Sequence, residues 1–386
     1  MPNIASKFNL LLKNQNLFLS SINNSESEII FEESLYHNLS NILYLTIKKS
    51  DRYKELIDHP LFVQLKNNYI KTLKYNMLKQ KEFIDIHNAF EIASIPMIPI
   101  KGMALLFDIF QNDLSRPMDD IDILIKKNDL KKAEQLMLSL GYKVSIGNFS
   151  EKYYYRHYHH VPFFKLYMVE LHWDLAVPRP NKIILSELWG RLQKVEHNNA
   201  FLNILSPEDT IFSLVLHLRR FNTPFSLKPI FDVCKILEKY DQKIDWEYIS
   251  KYSRLNRINS IIYYALASIK ILFEYPIPIK ELNMFYPGIL KASLFKFFIK
   301  RVKHSGVIRI ARSSSFRKYA YIFLRFLLYD RVWDFILFII LIPEEEFSRF
   351  HSIKFPSRKS SAVYSLRFFA MPFLFLFDRF SKKSSI

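Results

Sequence analysis

The most constraining feature of this sequence is an acidic stretch that turns directly into an apolar one, Arg116-Pro-Met-Asp-Asp-Ile-Asp-Ile-Leu-Ile125. Three carboxylates fall within four residues, and the run that follows is short and rich in β-branched side chains. Such a run is typical of a mostly buried strand. Because strand side chains alternate between faces, Asp120 and Asp122 are predicted to share one face, about 7 Å apart.

Two carboxylates on one face, with Ile121 and Ile123 on the other, are costly to bury unless a positive charge lies between them. Carboxylate oxygens suit a hard divalent cation such as Mg²⁺, so the stretch indicates a metal site. The alternative is an exposed edge strand whose polar face meets water. The local pattern leaves both interpretations open.

The bulk composition favours a large, mainly helical protein. The 386 residues exceed the ~150 of a typical domain and indicate two or three units. An apolar content of 49% and an aromatic content of 16% suffice for a sizeable core and argue against disorder. From the changes in pattern described below, we predict a helical region at 1–93, an α/β core at 94–200 and a helical domain at 201–386.

The chain is strongly basic, with 55 Lys and Arg against 37 Asp and Glu and a formal net charge of +18. Such an excess attracts phosphate-bearing ligands, nucleic acid or anionic membranes, although dispersed lysines also arise from compositional bias. Arg301–Arg317 is the best local candidate for a polyanion contact. The Phe-rich tail, Leu366–Phe380, could lie on a membrane surface or dock against the preceding helices.

Cysteine usage and hydropathy predict a cytoplasmic protein. Cys234 is the single cysteine, which excludes an intrachain disulfide, and its apolar helical setting predicts a buried, inert thiol. The N-terminus lacks the apolar core of a signal peptide. Apolar runs such as Phe335–Ile342 fall short of the ~18 residues needed to span a bilayer, so no transmembrane segment is expected.

The N-terminal region is dominated by one long amphipathic pattern from Leu61 to Ala93, without Pro or Gly. Asp58-His-Pro60 marks its start, because proline is favoured at the first helical position. We interpret its apolar stripe as packing. The predicted buried residues are Leu65, Tyr69, Leu73, Met77, Phe83 and Ile86.

From residue 94 the pattern becomes that of a mixed α/β unit. Ile95–Ile100 is a short extended segment that its two prolines confine to a sheet edge or a strand start. Lys101-Gly102 then turns the chain into an apolar helix that ends near Phe110. Beyond the acidic strand, the pattern predicts a helix at Asp129–Leu140, ended by Gly141, and strands at Tyr142–Ile146 and Val161–Leu166.

A further strand, Tyr167–Asp174, carries a second set of polar side chains. Alternation places Val169, Leu171 and Trp173 on one face and Met168, Glu170, His172 and Asp174 on the other. The Glu-His-Asp face could complete the carboxylate cluster of the acidic strand. A solvated strand face is an equally good explanation.

The C-terminal half returns to helical periodicity. Ser206 is placed to cap, and Pro207 to open, a helix that carries His217. The next helix, from about Pro229, carries Asp232. His217 and Asp232 could contact a ligand, but a salt link between helices is the commoner explanation. Amphipathic helices are also predicted over Trp246–Lys270 and Ile279–Lys303.

Several familiar motifs are missing from the sequence. It has no GxxxxGK[ST], no GxGxxG and no HExxH, which argues against P-loop, dinucleotide-binding and zincin chemistry. Tyr155–His160 contains three histidines, but this zinc signal is weak without cysteines or an HxxxH helix. Two of these histidines could face an anionic ligand.

Taken together, the motifs resemble nucleotidyltransferase-like proteins of the DNA polymerase β superfamily. More narrowly, they resemble an uncharacterised bacterial nucleotidyltransferase family found beside peptide and polysaccharide biosynthesis genes. The resemblance spans roughly Ile95 to Asp174 and implies an α+β fold: a small mixed β-sheet core, flanked by N-terminal helices and a C-terminal all-α region. The matching motifs are Ile100-Lys-Gly102, Arg116–Ile125, Leu140-Gly-Tyr142 and Val169-Glu-Leu-His-Trp173.

Carried over residue by residue, the resemblance assigns the metal carboxylates. Asp120, Asp122 and Glu170 would be the catalytic residues and the metal ligands. Asp119, where the family often has Gly, would support them without binding metal. The possible substrate contacts are His172, His217 and Asp232.

The resemblance also assigns the nucleotide contacts. Lys101 and Gly102 occupy the place of the superfamily's Gly-Ser phosphate turn, and the missing Ser leaves Lys101 as the phosphate-binding group. Arg116 would contact phosphate or brace the acidic loop.

The implied reaction is transfer of a nucleoside monophosphate from an NTP such as ATP to a hydroxyl of a small molecule, peptide or protein. Two Mg²⁺ (or Mn²⁺) ions would assist, and pyrophosphate would leave. One alternative is a catalytically inactive relative that only binds ligands. The other is a basic helical protein on RNA or a membrane surface, with a purely structural acidic strand. Nucleic acid is the less expected partner.

Overall fold

The computed structural model describes residues 24–341 and 343, apart from gaps at 51–52, 112, 148, 180–181, 198–199, 220–225 and 306–322. In this part of the chain, helices surround a small mixed β-sheet. The predicted α+β class is therefore confirmed, with helices before the sheet and a helical region after it. The division at residues 93 and 200 stays a prediction.

The N-terminal part is helical. The long amphipathic pattern forms one helix of 33 residues that begins at Pro60. His59 caps it, because its Nδ1 accepts a hydrogen bond from the backbone N of Leu61 at 3.2 Å. The helices are α1 (Asn24–Tyr36), α2 (Ser40–Lys48), α3 (Tyr53–Leu56) and α4 (Pro60–Ile92).

The central sheet and its connections follow the predicted order. The elements are β1 (Met97–Pro99), α5 (Lys101–Phe107), β2 (Ile121–Ile125), α6 (Leu130–Ser139), β3 (Lys143–Val144), α7 (Glu151–His157), β4 (His160–Phe164) and β5 (Met168–His172). The strand order is β1-β2-β5-β4-β3, so the proline-flanked β1 is an edge strand, as predicted. β2 and β5 run parallel at the centre, and the other neighbours pair antiparallel.

A hairpin and a set of helices follow the sheet. They are β6 (Gln193–His197), β7 (Ala200–Ile204), α8 (Pro207–His217), α9 (Lys228–Tyr240), α10 (Trp246–Leu255), α11 (Asn259–Leu272), α12 (Ile279–Asn283), α13 (Ile289–Ser305) and α14 (Val332–Ile340). Ser206 caps α8 by accepting from the backbone N of Asp209, and Cys234 is buried, both as predicted.

Two sequence predictions about the C-terminal helices are wrong in detail. Trp246–Lys270 and Ile279–Lys303 each form two helices. Arg257 (φ 53°) adopts the left-handed conformation that ends the first of them, and Gly288 (φ 92°) lies directly before the helix that starts at Ile289. No helix within the described ranges is long and apolar enough to cross a membrane. Most of Arg301–Arg317 and all of Leu366–Phe380 lie outside those ranges.

The two faces of β2 belong to different hydrophobic cores. Ile121, Ile123 and Ile125 pack into a core beneath the sheet. Leu124 belongs to the other core, which contains most of the C-terminal helices. Alternation puts Asp122 on the side of Leu124, so the acidic face of β2 is turned toward the C-terminal helices.

The buried stripe of α4 differs from the prediction. Leu65, Phe83 and Ile86 are buried, but Met77 is 60% exposed. Asn76 and Lys79 are buried instead. Their side chains donate to carbonyl oxygens of the loop before β2: Asn76 to Leu114 and Arg116 at 2.7 Å each, and Lys79 to Met118. This part of α4 therefore positions the acidic loop.

Candidate active site

Asp122 lies at the centre of the site, where its side chain is buried between two cationic or potentially cationic groups. Its Oδ1 is 2.5 Å from Lys101 Nζ and 2.8 Å from His172 Nε2. Burial alone would raise the pKa of Asp122, but Lys101 and His172 outweigh it and hold that pKa well below its usual range. Asp122 is therefore an ionised carboxylate inside the protein.

The parallel pairing of β2 and β5 brings Glu170 opposite Asp122. His172 Nε2 lies 3.1 Å from Glu170 Oε2, and His160 Nε2 lies 3.4 Å from Glu170 Oε1. Burial opposes ionisation of Glu170, but the two imidazoles lower its pKa below the usual value. Glu170 is therefore a second ionised carboxylate at the site.

Asp122, Glu170 and His172 form a compact donor set. Each offers one oxygen or nitrogen, and these three atoms lie within 4.8 Å of one another. One nitrogen each of His159, His160 and His172 is grouped equally closely. The weak histidine signal of the sequence thus belongs to this site, where His160 faces a carboxylate.

The carboxyl group of Asp120 differs from that of Asp122 in its surroundings and in its pKa. It is not part of the compact donor set, but burial and then the charges of Asp122 and Glu170 raise its pKa to about 7. The site thus gathers more negative charge than Lys101 balances. Carboxylate and imidazole donors beside such an excess of negative charge fit a divalent cation.

An uncommon backbone conformation and a close packing contact define the Lys101-Gly102 turn. Lys101 has φ 50°, an uncommon backbone conformation for a side chain of its kind. A Cβ added at Gly102 would lie 2.7 Å from Met118 Cγ and 3.1 Å from Arg116 Nη1. The acidic loop therefore packs against the turn so closely that only glycine fits without a shift.

Arg116 and Asp232, both expected to contact ligands, are paired with each other. The Arg116 guanidinium donates to Asp232 through Nε at 2.9 Å and through Nη2 at 2.6 Å, and both side chains are buried. This bidentate pair links the acidic loop to α9. The geometry matches the bracing role considered for Arg116.

Lys228, at the start of α9, is a site residue that sequence reasoning missed. Burial, followed by the charge of Arg116, lowers its pKa to about 8. Asp119 and Asp120 act in the opposite direction, so Lys228 lies near the acidic loop. Its only sequence signal is its position four residues before Asp232, one turn away on the same helix.

His217 lines a cavity of about 160 Å³ that opens beside the site. Lys101 and His159 form part of its wall on the sheet side. The other walls come from the segment after β5 and from the C-terminal helices. The exposed Asp119, by contrast, acts on the site mainly through its charge.

A central parallel strand pair that carries Asp122 and Glu170, with Asp120 beside them and a Lys-Gly turn ahead, defines a nucleotidyltransferase-type core. Residues 30–274 match a family model described as uncharacterised nucleotidyltransferase. The chain belongs to this family, which confirms the resemblance stated above and makes the protein an enzyme of the nucleotidyltransferase class.

Two solved structures of the antibiotic-resistance factor ANT(2'')-Ia are similar to part of the chain. A solution structure is 13% identical, covers 47% of this chain and 96% of that one, and has a TM-score of 0.35. A crystal structure in complex with adenylyl-2''-tobramycin is 12% identical, covers 46% and 98%, and also has a TM-score of 0.35. No curated protein matches the chain.

Proposed function

We propose that this enzyme transfers a nucleoside monophosphate from ATP or another NTP to a hydroxyl group of a small molecule, peptide or protein. Mg²⁺ or Mn²⁺ would be its metal. One observation carries the proposal: Asp122, Glu170 and His172 converge within 4.8 Å, next to the Lys101 ammonium. A cytoplasmic location belongs to the proposal, because NTPs are available there.

Asp122, Glu170 and His172 would hold the metal, with Asp120 beside them. When bound, the metal would neutralise phosphate charge and polarise the phosphoryl group that is transferred. This set differs from the sequence prediction of Asp120, Asp122 and Glu170 because it includes His172, which was expected to contact substrate. Burial of Asp122 and His172 fixes both donors in place before any ligand arrives.

The remaining residues of the site would bind and orient the substrates. Lys101 and Lys228 are the cations at its two ends, and both suit phosphate oxygens. Gly102 lets the acidic loop pack against the turn, and Arg116 braces this loop through Asp232. Asp120, whose pKa is raised to about 7, would accept the proton of the attacking hydroxyl, because Glu170 is a metal ligand whose lowered pKa makes it a weak base. Catalysis would then rest on positioning and electrostatics.

The test compares Asp122→Asn with Asp119→Asn, two isosteric changes three residues apart. The probe is α,β-methylene-ATP, which cannot be cleaved at the transferred phosphate, titrated by calorimetry with Mg²⁺ or Mn²⁺. We expect Asp122→Asn to weaken metal-dependent nucleotide binding about 100-fold or more, because an ionised ligand is lost. Asp119→Asn is expected to have a much smaller effect, because this exposed carboxylate lies outside the donor set and is the weakest of the charges that act on Asp120.

Thermal unfolding of both variants separates loss of the site from loss of the fold. If Asp122→Asn does not fold, Glu170→Gln replaces it. Equal nucleotide binding by folded Asp122→Asn and the wild type would refute the proposed site. Nucleotide binding without any NTP turnover over a panel of hydroxyl acceptors would favour the inactive relative. Salt-sensitive RNA binding without NTP affinity would favour the nucleic-acid alternative.

A further inference from the structure

Among the charged side chains that line the cavity beside the active site, cations predominate. Its wall includes Lys101, Arg179, Arg219, Arg257 and Arg325, against the single carboxylate of Asp334 among the described lining residues. Lys101 connects it to the catalytic site, because the same ammonium contacts Asp122 at 2.5 Å. A ligand in this cavity would therefore reach the reacting groups.

Arg219 and Arg325 make specific contacts with backbone carbonyl oxygens and an aromatic ring. Arg219 donates through Nη2 to the carbonyl oxygens of Leu328 at 3.0 Å and of Arg257 at 3.4 Å. Its guanidinium also lies 4.4 Å from the ring centroid of Tyr329. Arg325 in turn donates to the carbonyl oxygen of Arg219. These contacts orient the guanidinium groups, and the nearby carboxylates of Asp330 and Asp334 offset part of the charge of Arg219.

Arg257 forms the more accessible part of this arginine group. Its side chain is 41% exposed and lies 3.3 Å from Asp334, whose side chain is 6% exposed. Arg257 also has φ 53°, a backbone conformation that is uncommon for residues other than glycine. Asn adopts this conformation more readily than most residues, so Arg257→Asn removes the charge with little backbone cost.

We propose that this cavity binds the acceptor, and that the acceptor carries a carboxylate or phosphate group that Arg219 and Arg257 recognise. This inference rests on the proposed function. Planar guanidinium groups pair with both anions through parallel hydrogen bonds, so the shared chemistry is an oxyanion. Apolar lining residues such as Val177, Leu216 and Phe338 suit a non-polar part of the same molecule.

The triphosphate of the NTP carries the same chemistry, but another part of the site suits it better. Lys228 lies one helical turn before Asp232, which binds Arg116 of the acidic loop at 2.6 Å, and it does not line the cavity. The acidic loop thus has a cation of its own at the Asp120 end. The arginine cavity begins at the opposite end, at Lys101, where the second substrate would enter.

The test uses inorganic phosphate as the probe, titrated by calorimetry into the full chain saturated with metal and α,β-methylene-ATP. We expect Arg257→Asn to weaken phosphate binding about tenfold, because a charge-assisted hydrogen bond is lost. Asp334→Asn is expected to strengthen phosphate binding about threefold, because it removes the opposing charge. Arg254→Asn, an exposed arginine one turn earlier, is the matched control and should leave phosphate binding unchanged.

If the cavity recognises anions, phosphate binding weakens in Arg257→Asn and strengthens in Asp334→Asn. A purely structural role of these residues would weaken phosphate binding in both variants. If Arg257→Asn does not fold, tighter phosphate binding by Asp334→Asn still supports the proposal. Phosphate binding that is absent from the wild type, or equal in the wild type, Arg257→Asn and Asp334→Asn, overturns it. Displacement of phosphate by α,β-methylene-ATP assigns the cavity to the triphosphate and overturns the acceptor assignment. If the wild type does not bind α,β-methylene-ATP at all, the proposed function is refuted. A phosphate titration without the analogue then still shows whether the cavity binds anions.

Discussion

At the Asp122 end of the acidic strand, a buried carboxylate lies 2.5 Å from Lys101 and 2.8 Å from His172, and its pKa is far below the usual range. At the Asp120 end, two residues earlier, the pKa is raised to about 7. The two aspartates share a strand face and differ in their neighbours. At the first end Lys101 and His172 keep the carboxylate ionised, whereas at the second end burial and neighbouring carboxylates disfavour the charge of Asp120, which a bound cation would offset.

The difference follows from which elements supply the cations. Lys101 is the first residue of α5 and follows β1 closely, and β1 pairs directly with β2, so its contact with Asp122 is built into the sheet. Lys228 and the Arg116–Asp232 pair depend on α9, more than 100 residues after the acidic loop. The Asp120 end therefore requires the C-terminal helices to be docked. Three predictions address this difference.

Breaking the Arg116–Asp232 pair should have the largest effect. Asp232→Asn leaves a buried guanidinium without its carboxylate, since these side chains are only 6% and 2% exposed. We expect the free energy of unfolding to fall by about 3 kcal/mol, measured by chemical denaturation. The double variant Arg116→Met/Asp232→Leu should recover part of this loss, because no charge is then left buried. A loss below about 0.5 kcal/mol in Asp232→Asn would show that the pair does not brace the loop.

A change of pH should test whether Lys228 binds the nucleotide. Lys228, with a pKa of about 8, is charged below that pH and loses its charge above it. If it binds the triphosphate, affinity for α,β-methylene-ATP should fall about tenfold between pH 7 and pH 9 at constant free metal. Lys228→Arg should keep its affinity at pH 9, and Lys228→Met should be weak at both values. A wild-type affinity that stays flat over this range would remove Lys228 from the nucleotide site.

The outcome for individual residues shows what sequence can and cannot predict here. Alternation in β2 and β5 correctly placed Asp122 and Glu170 on polar faces, because side-chain direction in a strand is a local property. The pairing of Arg116 with Asp232 was not predictable, because it depends on how α9 docks. Lys228 was missed for the same reason. Direct roles of Lys101, Gly102 and His217 toward substrate remain predictions.

The predicted buried face of α4 was wrong for a different reason. This face also supplies the prediction of smallest effect. Helical spacing assigns an apolar Met77 to the interior, but Lys79 is buried there because the Met118 carbonyl needs a donor. Lys79→Met leaves that acceptor unpaired, so we expect a loss of about 1 kcal/mol in the free energy of unfolding. Met77→Lys should change it by less than about 0.5 kcal/mol, because Met77 faces solvent. Urea denaturation of both variants decides the matter. If Met77→Lys were the more destabilising change, α4 would pack through its apolar stripe, and the acidic loop would have to be positioned by Arg116 without help from Lys79.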